Sequence, residues 1–152
     1  MKQNDQDTIF ASSSQFKSAI KIIRISGNKA KNIPYIFNFK APEPRTFVLK
    51  KLIHNKTLID SAPVVWLPKK GSFTGEDTYE IYIHGSIVIE KLIYKTLSSY
   101  KNFRFAEPGE FTKRAVINGN IDLIQAESIN EIINTQTEKQ LKIAQSQLDG
   151  SL

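Results

Sequence analysis

Cysteine is absent from this chain, and its 152 residues include only two histidines, His54 and His84, one tryptophan and one methionine. Without a thiol there is no disulfide framework and no cysteine nucleophile. Two histidines with no cysteine beside them argue against a zinc site, and no metal is expected. No apolar run reaches the ~18 residues that a membrane-spanning helix needs, and no charged-then-apolar leader opens the chain. These absences give the expectation of a soluble, cytoplasmic protein with no membrane partner.

What is present suits one compact domain with a short appendage. The hydrophobic fraction of 40% is adequate for a core, and no low-complexity block interrupts it. A formal charge of +6 favours polyanionic partners, RNA included. The basic residues are scattered, so a lysine-rich solubilising surface accounts for the charge equally well.

The most informative stretch is FTGEDTYEIYIHGS, Phe73 to Ser86. A turn holding Gly75, Glu76 and Asp77 feeds an alternating run that ends at His84-Gly85-Ser86. Residues two apart on a strand share a face. Tyr79, Ile81 and Ile83 therefore point to a core, while Glu80, Tyr82 and His84 put a carboxylate, a phenol and an imidazole in one row. Such a row suits a polar heterocycle.

Around this motif the pattern predicts both strands and helices. Strands are expected at Asp7 to Ala11, Ala19 to Ile25, Thr46 to His54, Thr57 to Ile59, Pro63 to Pro68 and Phe103 to Ala106. A helix interrupted near Pro34 is expected within Asn28 to Phe39, and Ala41 to Arg45 is a rigid connector. After Gly85 the period changes to about 3.6, with Ser86 as N-cap of a helix carrying Ile89, Leu92, Ile93, Thr96, Leu97 and Tyr100. A short helix over Glu110 to Asn118 stops at Gly119. From Asp122 onward one long amphipathic helix is expected, its apolar residues including Ile129, Ile132, Ile133, Leu141, Ala144 and Leu148. Continuous, it would run roughly 40 Å and outreach the globule. That length suggests an amino-terminal piece of a longer protein, or a helix packing on a second copy of the chain.

Four segments in this order resemble the amino-terminal region of the MnmE (TrmE) family of tRNA-modification GTPases. They are DTIFA at Asp7 to Ala11, IIRISG at Ile22 to Gly27, the Phe73 to Ser86 motif, and RFAEPGEFTKRAVINGNIDLIQAES at Arg104 to Ser128. The resemblance implies an α/β (α+β) fold, a mixed sheet with flanking helices, similar to the tetrahydrofolate-binding domains of glycine-cleavage aminomethyltransferases. It implies a folate-binding and dimerisation domain over 1–119 and the first long helix of a helical domain over 120–152. The implied cofactor is a 5-formyl- or methylenetetrahydrofolate, and the implied partners are a second copy of the chain, the flavoprotein MnmG and tRNA. In the family the complex installs an aminomethyl-type group on carbon 5 of a wobble uridine, with GTP, Mg and K acting at an inserted GTPase domain. No G-x-x-x-x-G-K-[ST] phosphate loop occurs in this chain, so GTP hydrolysis is not assigned to these residues.

The resemblance also implies cofactor-binding roles for Arg24, Glu80 and Asn120. A guanidinium at Arg24 can donate paired hydrogen bonds to a pterin, or pair with Glu80 as a structural salt bridge. A carboxylate at Glu80 can accept two parallel hydrogen bonds from an amino-pyrimidinone edge, or be an ordinary outward strand residue. Asn120 stands where the family commonly has lysine, which weakens attraction for an anionic ligand. His84 reads as an orienting or capping residue, Glu76 and Asp77 as shapers of the turn, and Glu110 with Arg114 as a structural pair. The chemistry belongs to cofactors, and no catalytic residue is assigned. Between the first two strands the family has a glycine-rich loop, whereas Ser12 to Ser18 here has no glycine. Asn120 and that loop leave two alternatives open: a dimerising scaffold that has lost folate, or a basic RNA-binding module.

Overall fold

The computed structural model describes residues 5–13 and 17–150. The glycine-free first loop therefore lies partly outside the described residues, at 14–16. The described residues form two compact units: those up to 72 together with 76–108, and 73–75 together with 109–150.

The first unit is built on a six-stranded sheet of order β3-β4-β5-β2-β1-β6. Its strands are β1 (Thr8–Ser12), β2 (Ile20–Ser26), β3 (Val48–His54), β4 (Thr57–Leu67), β5 (Thr78–His84) and β6 (Phe103–Phe105). All neighbours pair antiparallel except β1 and β6, which run parallel. The expected mixed sheet is thus present. β4 is one continuous strand where the sequence suggested two, because Pro63 sits at a register position opposite Leu49 that the ladder tolerates.

Alternation in β5 divides its side chains as the sequence predicts. Tyr79, Ile81 and Ile83 are fully buried, Glu80 and Tyr82 are half-buried, and His84 is exposed. Each of the three core residues contributes about 1.5–3 kcal/mol of burial. They join Phe10, Ile23 and Ile25 in one cluster with Ile33, Ile36 and Phe37, and with Ile93 and Leu97. The last two belong to α2 (Ile87–Ser98), whose N-cap Ser86 accepts a hydrogen bond from Ile89 N. Ile33, Ile36 and Phe37 belong to α1 (Ile33–Ile36) and its exit, after a 3-10 turn at Ala30–Asn32. Pro34 falls in the first turn of α1, where a missing N–H costs nothing.

The second unit holds α3 (Glu110–Ile117), α4 (Leu123–Asn134) and α5 (Glu138–Leu148). The single long helix expected from Asp122 is corrected here: it is two helices folded back on each other. Thr135 is extended at φ −67 and ψ 142, and Thr137 is extended at φ −131 and ψ 152. Thr137 and Gln140 then form a capping box that begins α5, just as Asp122 and Gln125 begin α4. Part of the apolar stripe is covered between the two helices, while Ile133 stays 75% exposed. Ser128 and Ala144 are buried, and Gln125 Nε2 donates to the Leu148 carbonyl at 3.1 Å.

Candidate functional site

Arg24 and Glu80 are brought together by register alone. They are directly opposed across the β2–β5 ladder, and Val65 of β4 opposes Glu80 on its other side. Their side chains point away from the Tyr79 face, and Arg24 Nη2 stands 3.4 Å from Glu80 Oε2. The carboxylate is 17% exposed and the guanidinium 36%. The pair is open enough to meet a ligand and covered enough for its hydrogen bonds to be directional.

Tyr82 extends the site along β5. Burial raises its phenol above the ordinary value and the Glu80 carboxylate raises it further, while the Arg24 guanidinium acts in the opposite sense. The phenol is accordingly a neutral hydrogen-bond donor at physiological pH. Phe47 packs edge-on against its ring, with centroids 5.0 Å apart and planes at 74°. The sequence named Tyr82 in the polar row but gave it no site role, and nothing in the pattern pointed to Phe47, which lies just after the proline connector.

His84 sits at the exposed end of the row, and its partner is Asp60. Its Nδ1 is 2.9 Å from Asp60 Oδ1, and its backbone N donates to Asp60 Oδ2 at 3.0 Å. Asp60 also accepts from Ser61 N at 2.8 Å, so a buried carboxylate is satisfied by orienting the imidazole. The sequence carried a signal for it: Asp60 shares the strand parity of the core residues Ala62 and Val64. An acid at an inward position must find partners.

The two acids of the turn shape it. Ser26 Oγ donates to Glu76 Oε1 at 3.1 Å, and Lys69 N donates to Asp77 Oδ1 at 2.8 Å. Asn120 lies in the second unit, where its Nδ2 donates to the Phe73 carbonyl at 3.1 Å. Asn118 Nδ2 donates likewise to the Thr74 carbonyl at 2.8 Å. Between them lies Gly75 at φ +76, where a Cβ would stand 2.8 Å from Asn118 Cβ. The two asparagines thus hold the Phe73–Gly75 segment by its backbone, which requires glycine there. In α3, Glu110 and Arg114 pair at 3.2 Å, buried, as their spacing predicts.

Fold and site together define an α+β domain whose half-buried sheet face presents an arginine–glutamate pair beside a neutral phenol. The chain belongs to the GTP-binding protein TrmE N-terminus family, whose model matches residues 8–120. It is 42% identical to the tRNA modification GTPase MnmE of Anaplasma phagocytophilum, over all of this chain and 34% of that protein. Identity to the protein of the same name from Neorickettsia sennetsu is 43%, over 95% of this chain and 26% of the relative. For that of Methylobacterium radiotolerans it is 39%, over 98% and 34%. The chain spans about a third or less of the length of these relatives. No helix among the described residues is long and apolar enough to cross a membrane.

Proposed function

We propose that this chain is the folate-binding, homodimerising amino-terminal part of a tRNA-modification GTPase. In this reading it acts with the flavoprotein MnmG to add an aminomethyl-type group to carbon 5 of the wobble uridine of certain tRNAs. GTP, Mg and K act at a domain outside these residues. The observation that carries the reading is the Arg24–Glu80 pair on the half-buried sheet face.

The donor set suits a reduced pterin. Glu80 accepts from the N–H groups of the amino-pyrimidinone edge, Arg24 donates to oxygen or nitrogen on the same ring system, and Tyr82 donates from its phenol. Bound folate supplies the one-carbon unit. The side chains described here bind and orient it, and none takes an acid, base or nucleophilic role. One observation favours a second reading, a scaffold without folate: the amide of Asn120, at the position of the family's lysine, is engaged by the Phe73 carbonyl.

Calorimetric titration with 5-formyltetrahydrofolate separates the two. Micromolar binding is expected, with loss of at least tenfold in Glu80→Ala and little change in Tm, since a partly exposed ion pair contributes about 0–1 kcal/mol to folding. No binding at millimolar ligand sinks the folate reading and leaves the scaffold.

A further inference from the structure

A second cavity in the first unit shares no residue with the Arg24–Glu80 site. It has a volume of about 450 Å³ and opens where the end of α1, the β3–β4 turn and the turn after α2 meet. That size falls within the ~300–1,000 Å³ usual for small-molecule sites. Its walls include Tyr35, Asn38, His54, Asn55, Lys56 and Tyr100, and no carboxylate lines it among the described residues.

Tyr100 packs partly against the core, while Tyr35, His54, Asn55 and Lys56 have placements that core packing does not account for. Tyr35 is 83% exposed, a large ring on a one-turn helix with no burial to hold it there. His54 Nδ1 lies 3.2 Å from the Ile36 carbonyl. A carbonyl only accepts, so Nδ1 donates to it. The His54 ring meets Tyr100 edge-on, with centroids 6.1 Å apart. In the turn, Asn55 and Lys56 both have left-handed backbones, φ 48 and φ 63. Two left-handed residues make the hairpin turn that Asn-Gly fits without strain. Lysine in the second place keeps the strain and sets a cation at the cavity.

We propose that this cavity binds a nucleotide, with the base against Tyr35 and Tyr100, its polar edge read by the asparagine amides, and its phosphate at Lys56. Aromatic rings give sequence-tolerant stacking, amides match base edges in both donor and acceptor sense, and a lone lysine serves a phosphate as a point charge. The absence of carboxylates from the lining removes repulsion of the anion. A free mononucleotide and an unpaired residue of an RNA offer the same chemistry, and the net charge of +6 attracts both.

Nuclear magnetic resonance on the whole chain tests this, by titration with uridine monophosphate, adenosine monophosphate, single-stranded hexauridylate and inorganic phosphate. Shifts are expected at residues 34–39, 53–56 and 100, with Arg24 and Glu80 unmoved. Equal binding of monomer and hexamer identifies a free nucleotide, and preference for the hexamer identifies RNA; either supports the proposal. Lys56→Gly relieves the turn, so its Tm is expected at or above the parent's while affinity falls about tenfold. Tyr35→Ala removes an exposed ring and is expected to fold normally with a similar loss. No shift at these residues with millimolar nucleotide, the same shifts with inorganic phosphate alone, or parental affinity in both variants would overturn it.

Discussion

A Cβ on Gly85 would overlap the carbonyl oxygen of Ser18, because the chain turning from β5 into α2 passes against the backbone entering β2. Gly85 N donates to the Ala19 carbonyl at 2.8 Å, so neither strand end can withdraw cheaply. Gly85→Ala is expected to cost about 3 kcal/mol or more, a backbone collision being among the few causes of losses that large, and urea denaturation measures it. One residue position away from the polar row, Tyr79 makes a pH prediction. Burial pushes its phenol up to about 12 from 10, so folding favours the protonated form. The stabilisation is complete below about pH 10 and is lost as pH rises through 12, up to about 3 kcal/mol. Between pH 9 and 12 the parent's urea midpoint should fall further than that of Tyr79→Phe, which lacks the phenol. The polar row of β5 was legible because two-residue alternation is unambiguous over seven residues. The role of Asp60 is not legible in the sequence, because its partner, His84, is distant along the chain and meets it only where β4 and β5 come together.

Among the elements, the α4–α5 hairpin departs most from the pattern of its sequence. Both helices share one amphipathic stripe, and periodicity alone runs straight through Asn134 to Thr137. The signal that ends α4 is local and polar: Thr137 and Gln140 satisfy each other's backbone donors, and Thr135 Oγ1 donates to the Ile132 carbonyl at 2.8 Å. Thr137→Ala is expected to destabilise α5 by about 1 kcal/mol and to raise amide exchange in its first turn, with little effect on the β-sheet amides. The Ser86 cap of α2 followed from the sequence because the period changes there from two to 3.6. At Thr137 the period is the same on both sides, which is why capping had to be seen in three dimensions.

At the scale of the whole molecule, the fold class and the family were legible from segments spread along nearly all the chain. The cavity beside Tyr35 was not, since α1, the β3–β4 turn and Tyr100 are separated in sequence and carry no shared motif. A homodimer, the assembly proposed above, needs exposed apolar surface, and the β3–β4 edge supplies it. Phe47 is 64% exposed, Leu49 66% and Leu58 55%. Sedimentation velocity is expected to give a species of twice the 17.2 kDa chain mass. Leu49→Glu should shift it to the monomer without lowering Tm, because the side chain is not part of the core.

The contact between Gln125 and the Leu148 carbonyl has a geometric consequence of its own. It closes the helical hairpin into a detour with almost no net displacement: the backbone leaves α5 beside the place where it entered α4. In the language of chain topology the two helices are a loop whose ends nearly coincide, so they can lengthen or shorten together by whole turns while the entry and exit points stay fixed.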